Sequence, residues 1–250
     1  MINYKIIENF IDEDDCNKLI EDAQKILNLN SENEVLSNNR QLISSTSITY
    51  NNFLANSQNW SKLHEKLYSY NFYTECLKNL NIGQNEFELS SFFFKNKFTD
   101  NEKKYKKLIN KKFSYIKTAT LIKLILFRIY NQILFKIKFF LKRKINLELI
   151  YDFSISRKGY KREIHRDSDS RVIVFLLYLN TFENNIDGGS LNLHEIKNKN
   201  LNFIPPQPNA NDCNLIQSIN PKAGRLVLFL NSADAFHSVS EMVGNEERFF

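Results

Sequence analysis

All four prolines and five of the six glycines of this chain lie beyond residue 158. Glycine and proline are the strongest local interrupters of helices and strands. The stretch from Met1 to Lys158 holds one glycine, Gly83, and no proline, so it can run in long uninterrupted helices. The remainder places Asp187-Gly188-Gly189 and Pro221-Lys222-Ala223-Gly224 between apolar runs. Such a chain turns often, as a set of short strands does. The expected class is α+β, a mainly helical half followed by a β half.

In the first half, IIENFIDEDDCNKLIEDAQKIL reads as a short strand and then a helix. Asp12 suits the N-cap, and Asp14 and Asp15 suit the first turn. Ile11, Cys16, Leu19, Ile20, Ala23 and Ile26 form its apolar stripe. A second helix is expected from Trp60 to Leu80, with Leu63, Leu67, Tyr70 and Phe72 among its apolar positions. A third is expected over 118–144, where Ile122, Leu126, Ile129, Ile133, Ile137 and Phe140 recur at steps of three or four.

That third helix lies in a segment of unusual charge. Between Lys103 and Lys144 there are 14 Lys and Arg and no Asp or Glu, which leaves the rest of the chain net acidic despite an overall charge of +6. Two readings stay open. Lys123, Lys136, Lys138 and Lys142 are the solvated flank of a core-packing helix, or they form a surface that docks on anionic lipid or another polyanion. No stacking platform of aromatic and basic residues accompanies them, so a nucleic-acid partner is not expected.

Cys16, Cys76 and Cys213 are widely separated, which fits neither a disulfide framework nor a zinc knuckle. The opening MINYKIIENFIDEDD has no basic start and no apolar run. No uncharged apolar stretch reaches the roughly 18 residues of a membrane span. The expected location is cytoplasmic, with membrane association through 103–144 as an added option.

The β half begins with HRDSDSRVIVFLLYLN, residues 165–180. Arg171–Leu179 is β-branched and aromatic, as in a strand buried on both faces. Further strands are expected at 190–194, 214–219, 225–230, 236–242 and 248–250, with a polar, proline-bearing excursion over 195–212. His165 and Asp167 stand at the mouth of the first strand. In extended backbone, residues i and i+2 point to one side, so both tips can reach a single ion. Two histidines and one carboxylate form the facial triad of non-haem iron(II) sites, which leaves positions open for other ligands. Of the other histidines, His237, just after RLVLF, is the best third ligand. The bland alternatives are a surface turn for His165 and Asp167 and a hydrogen-bonded core histidine for His237.

The order HxD, a strand ending Tyr178-Leu179-Asn180, Gly188-Gly189-x-Leu191, Pro221-x-x-Gly224, RLVLF, a lone His237 and then Arg248 resembles the iron(II)- and 2-oxoglutarate-dependent oxygenases, in their prolyl-4-hydroxylase-like branch. The resemblance covers residues 151–250, and ENFIDEDDCNKLIEDA is similar to the way members of that branch begin. It implies a double-stranded β-helix, or jelly roll, with N-terminal and inserted helices packed against it, as one oxygenase domain over 1–250. It also implies iron(II) held by His165, Asp167 and His237, with 2-oxoglutarate as cosubstrate and ascorbate as an allowed reductant. Arg248 would pair with the distal carboxylate of 2-oxoglutarate, which a guanidinium fork matches, and Tyr178 would hydrogen-bond the same group. Tyr178 as a core tyrosine is the competing reading.

His194 is expected to be a non-ligand near the substrate mouth, and His64 to be ordinary. Arg171, Gly188 and Gly189 are expected to be structural, and Arg225 to begin a strand in solvent. The spacing from His237 to Arg248 is longer than the family's commonest, with an extra turn at Gly244-Asn245-Glu246-Glu247. The Glu246-Glu247 pair is expected to compete for the charge of Arg248. The implied reaction is hydroxylation of an unactivated C–H bond with release of succinate and CO2. The substrate is a small molecule or a peptide: a prolyl peptide, a free amino acid, or a sugar or lipid precursor. The excursion over 195–212 is expected to help choose it. Two competing functions are a non-catalytic β-helix binding module and a peripheral membrane or polyanion adaptor built on the basic helix.

Overall fold

The computed structural model describes residues 2–29, 39–45, 47–82, 87–89, 145–147, 149–168, 171–182, 187–197 and 207–250. In chain order these form β1 (Tyr4–Ile7), α1 (Glu13–Leu29), β2 (Arg40–Ser44), α2 (Ile48–Asn56), α3 (Gln58–Leu67), α4 (Tyr70–Asn79), β3 (Phe87–Leu89) and β4 (Ile145–Leu147). Eight more strands follow: β5 (Asp152–Ser156), β6 (Arg162–His165), β7 (Ile173–Leu177), β8 (Leu191–Ile196), β9 (Cys213–Ile219), β10 (Leu226–Leu230), β11 (Phe236–Val239) and β12 (Arg248–Phe249). The chain divides into two compact units, one of Met1–Ser45, Thr49–Leu67 and Tyr151–Phe250, the other of Thr46–Ile48 and Tyr68–Ile150. The basic segment 103–144 and its expected helix lie outside the described residues. No described helix is long and apolar enough to cross a membrane.

In the first unit the last eight strands build two antiparallel sheets. One has the order β6-β11-β8-β9. The other is assembled from β12-β5-β2 and β1-β10-β7, which the Leu179 N–H joins by donating to the Phe249 carbonyl at 3.0 Å. Its order is then β2-β5-β12-β7-β10-β1. Apart from the β8–β9 pair, which stays within one sheet, successive strands from β5 to β12 cross between the two sheets, which is the winding of a double-stranded β-helix. β1 and β2, from the start of the chain, extend one sheet at its two edges.

The alternation along each strand decides what faces the interior. From β10, Val227 and Phe229 point inward and meet Tyr178, Leu191, Leu193 and Ile219 in one buried cluster. From β5, Phe153 points outward to the helices. Its ring packs 4.8 Å from Trp60 and 5.8 Å from Phe53, and stacks with Phe249. The Trp60 indole N–H donates to the Leu19 carbonyl at 3.0 Å, which ties α3 to α1. The expected stripe of α1 is buried at Cys16, Leu19, Ala23 and Ile26. All three cysteines are free and buried.

Three expectations change. The helix expected from Trp60 to Leu80 is two helices. The Ser69 hydroxyl accepts the Phe72 N–H at 3.1 Å and starts α4 afresh, the usual work of an N-cap serine. The strand expected over 171–179 is shorter and only half-buried along Ile173–Leu176, whereas β10, flanked by β1 and β7, is buried almost throughout. Arg225 is partly buried rather than solvated, its guanidinium 2.8 Å from Glu8 just past β1. β2 and α2 carry too little amphipathic pattern to be read from the chain.

Two consequences are measurable. Trp60→Ala removes a fully buried indole and its hydrogen bond, and is expected to cost about 3–5 kcal/mol in denaturant unfolding. His64 on α3 shares its Nδ1 with the hydroxyls of Tyr50 at 3.3 Å and Tyr151 at 3.1 Å. Burial lowers its pKa from the ordinary histidine value. The folded state therefore resists a proton that the unfolded state accepts, so this histidine's contribution is intact above about pH 6.5 and is lost as the pH falls below it. His64→Gln, which keeps an acceptor without titrating, should show a shallower fall of melting temperature from about pH 7 to about pH 5.

Candidate metal centre

β11 lies between β6 and β8, with His237 directly opposite His165 in the β11–β6 ladder. Paired residues point to the same face, so the two imidazoles meet with ring centroids 4.3 Å apart. Asp167 follows β6 by two residues and turns its carboxylate to the same side, with Oδ1 3.9 Å from His165 Nε2. One ligand atom from each of the three lies within 4.8 Å of the others. Among the described residues this is the one group of three metal-ligating side chains so placed.

Their tautomers suit a metal. His165 Nδ1 is 2.8 Å from the Glu163 carbonyl, and His237 Nδ1 is 3.2 Å from the Ala235 carbonyl. A carbonyl only accepts, so each Nδ1 carries the proton and each Nε2 keeps its lone pair. This backbone bond is the usual support of a ligating imidazole. Burial, and then the neighbouring His165, push the His237 pKa down to about 4, which keeps the ring neutral. The Arg171 guanidinium donates to Asp167 Oδ2 at 3.1 Å, so it orients the carboxylate while Oδ1 faces the histidines. Arg171, expected to be structural, belongs to this site.

A second polar group sits on the inward face of β5 and its neighbours. Arg248 is 1% exposed, and its Nη1 donates to the Gly189 carbonyl. Its guanidinium lies 4.4 Å from the Phe250 ring and 5.4 Å from that of Tyr160. Arg248 Nε and the Ser156 hydroxyl are buried with no hydrogen-bond partner, and no described carboxylate pairs with Arg248. Glu247 does not compete for it, because that carboxylate turns to Arg157 at 2.7 Å. The expected turn before Arg248 is a bend over 244–246. Tyr178 is buried in the interior cluster beside Phe250, and burial pushes its hydroxyl pKa up to about 12, against the pull of Arg248. Gly189 is required beside Arg248: it has φ +74°, and a Cβ there would come 3.1 Å from Arg248 Nη1.

Residues 151–250 match the family model described as the 2OG-Fe(II) oxygenase superfamily. The match spans 100 of the chain's 250 residues, and His165, Asp167, His237 and Arg248 all lie within it. No curated protein matches the chain. Among solved structures it is similar to a prolyl-4-hydroxylase of Pseudomonas putida, with 14% identity, TM-score 0.42 and coverage of 100% of this chain and 89% of that one. It is also similar to a prolyl hydroxylase of Trichoplax adhaerens in complex with a hypoxia inducible factor peptide fragment, with 14% identity, TM-score 0.46 and coverage of 99% and 80%. A third is the viral collagen prolyl hydroxylase of Paramecium bursaria Chlorella virus-1, with 14% identity, TM-score 0.43 and coverage of 99% and 91%.

The family that this model describes is named for iron(II) and 2-oxoglutarate. The described residues fit both. Two imidazoles and a carboxylate suit iron(II), and a buried guanidinium with an unpaired N–H suits a carboxylate.

His194 is not grouped with the three ligands, as expected. It lies one residue along β8 from Leu193, the partner of His237, so it faces the opposite side of the sheet, where its Nε2 is 2.8 Å from the Ser238 hydroxyl. It is a buried, hydrogen-bonded histidine and is not among the three converging ligands. The excursion over 195–212 does reach the metal end at its described part. Gln207 lines an open cleft of about 240 Å3 together with Lys161, Arg162, Glu163, Ile164 and His165. The sequence reading passed over Ser154, Ser156 and Tyr160. Two serines alternating with Phe153 and Ile155 were the available signal.

Arg171→Ala leaves Asp167 free to rotate and is expected to weaken Mn2+ binding by about tenfold, measured by calorimetric titration. Unchanged affinity would show that the carboxylate keeps its orientation unaided.

Proposed function

We propose that the protein is an iron(II)- and 2-oxoglutarate-dependent dioxygenase that hydroxylates an unactivated C–H bond, with His165, Asp167 and His237 as the iron ligands. The observation that carries this is the convergence of two Nε2 lone pairs and one carboxylate oxygen at the inner face of an oxygenase domain. The order of motifs around them supports the prolyl-4-hydroxylase-like branch. Iron(II) with 2-oxoglutarate and oxygen supplies the oxidant for C–H hydroxylation, as the cosubstrate is converted to succinate and CO2.

The chain's own groups supply the setting. Backbone carbonyls of Glu163 and Ala235 hold the two imidazoles as Nδ1–H tautomers. Arg171 holds Asp167 so that one oxygen faces the metal position. Arg248 binds the distal carboxylate of 2-oxoglutarate, and the Tyr178 hydroxyl donates to the same group. Leu191, Leu193, Val227 and Phe229 keep water from the interior between the two polar ends, which strengthens each charged contact there. The cleft beside His165, with Gln207 at its rim, is where a substrate enters.

The test is to add iron(II) and 2-oxoglutarate without oxygen and record the visible charge-transfer band of the chelate. The native chain is expected to give the band and, once oxygen is admitted, to form succinate. His165→Ala is expected to give neither. A folded native chain with no band would remove the proposal.

A further inference from the structure

We propose that Arg40, on β2, is a second cationic arm of the cosubstrate pocket and grips the distal carboxylate of 2-oxoglutarate together with Arg248. This rests on the reading of Arg248 as the carboxylate anchor and adds to it a residue far away in sequence.

The sheet brings the two together. Ser156, on the central strand β5, is the ladder partner of Arg248 on one side and of Arg40 on the other. All three therefore project from the same face of the sheet. The guanidinium carbons converge on the same two rings. Arg248 is 4.4 Å from the centroid of Phe250 and 5.4 Å from that of Tyr160, while Arg40 is 5.0 Å and 5.9 Å from them.

Nothing described around them neutralises this charge. Arg40 donates from Nη2 and Nε to the Ser154 hydroxyl, at 2.6 and 3.1 Å, and from Nη1 to the Tyr160 hydroxyl at 3.4 Å. All of these acceptors are neutral. Among the described residues no carboxylate forms an ion pair with either arginine. Two like charges crowded about two rings repel each other, and burying a charge without a counter-charge is costly. Burial, and more weakly the charge of Arg40, lower the pKa of Arg248. The unpartnered Arg248 Nε and Ser156 hydroxyl lie on the same face. A carboxylate has about four acceptor sites, enough to take donors from both guanidinium groups and a serine at once. Its charge also offsets the repulsion between them.

A single guanidinium suffices to hold a carboxylate. A second one makes the pocket's affinity depend steeply on whether the keto acid carries a distal charge. Arg40 is thus a specificity-determining residue for the cosubstrate.

The experiment is calorimetric titration of the full chain, loaded with redox-inert Mn2+, using 2-oxoglutarate and 2-oxopentanoate, which has a methyl group in place of the distal carboxylate. Native protein is expected to favour 2-oxoglutarate strongly. Arg40→Ala should weaken 2-oxoglutarate by about tenfold or more with 2-oxopentanoate and Mn2+ unchanged, and Arg40→Lys should recover part of the loss. If Arg248→Ala loses 2-oxoglutarate while Arg40→Ala binds it like the native chain, Arg40 has no part in the pocket and the anchor stands. An equal loss for both keto acids in Arg40→Ala, with no recovery in Arg40→Lys, would make Arg40 a purely structural residue. If native protein does not distinguish the two keto acids, the anchor reading itself falls and Arg40 with it.

Discussion

The candidate metal centre depends on one antiparallel pairing, His237 against His165. A slip of one residue in that ladder would send His237 to the far side of its sheet. There it would join Phe236 and Ser238 among the core contacts of His194. The register is held by what lies to either side. Leu193 of β8 faces His237 from the other flank and is fully buried in the interior cluster. The apolar core is therefore what fixes the geometry of three polar side chains. That is a general economy of sheet proteins, in which burial sets the register and the register sets the site.

The other end works differently. Arg248 and Arg40 are not oriented by pairing with acids but by hydroxyls, a carbonyl and the faces of Phe250 and Tyr160. Such contacts steer a guanidinium without cancelling its charge. The interior thus carries a positive end and an end where two imidazoles and a carboxylate converge, with aliphatic and aromatic side chains between them. A short molecule with an anion at one end and chelating oxygens at the other matches that polarity.

The chain announces its local chemistry more clearly than its cross-chain contacts. His165 and Asp167 were legible because two ligands two residues apart need only an extended backbone. His237 and Arg248 followed from the order of motifs around them. The contact of Arg171 with Asp167 was not legible, because no spacing rule encodes it. Arg40 was invisible because it lies on a short strand with little pattern, and its partners Ser154 and Tyr160 are more than a hundred residues away in sequence. The helix expected from Trp60 to Leu80 ran through Ser69 because a lone serine in an apolar-periodic stretch is a weak signal, although its hydroxyl is enough to start a new helix.

β12 has a further consequence. It hydrogen-bonds β5 on one side and the end of β7 on the other, and the Asn180 side chain both accepts from the Phe249 N–H and donates to the Glu247 carbonyl. The strand fills a gap in the middle of a sheet whose flanks precede it in the chain. Until it is in place, β5 and the end of β7 each present an unpaired row of backbone groups. Exposed edges of that kind invite pairing with other molecules. The buried guanidinium of Arg248 is therefore carried by the strand that seals the sheet, so a chain that has set Arg248 in its interior place has also closed an edge open to unwanted pairing.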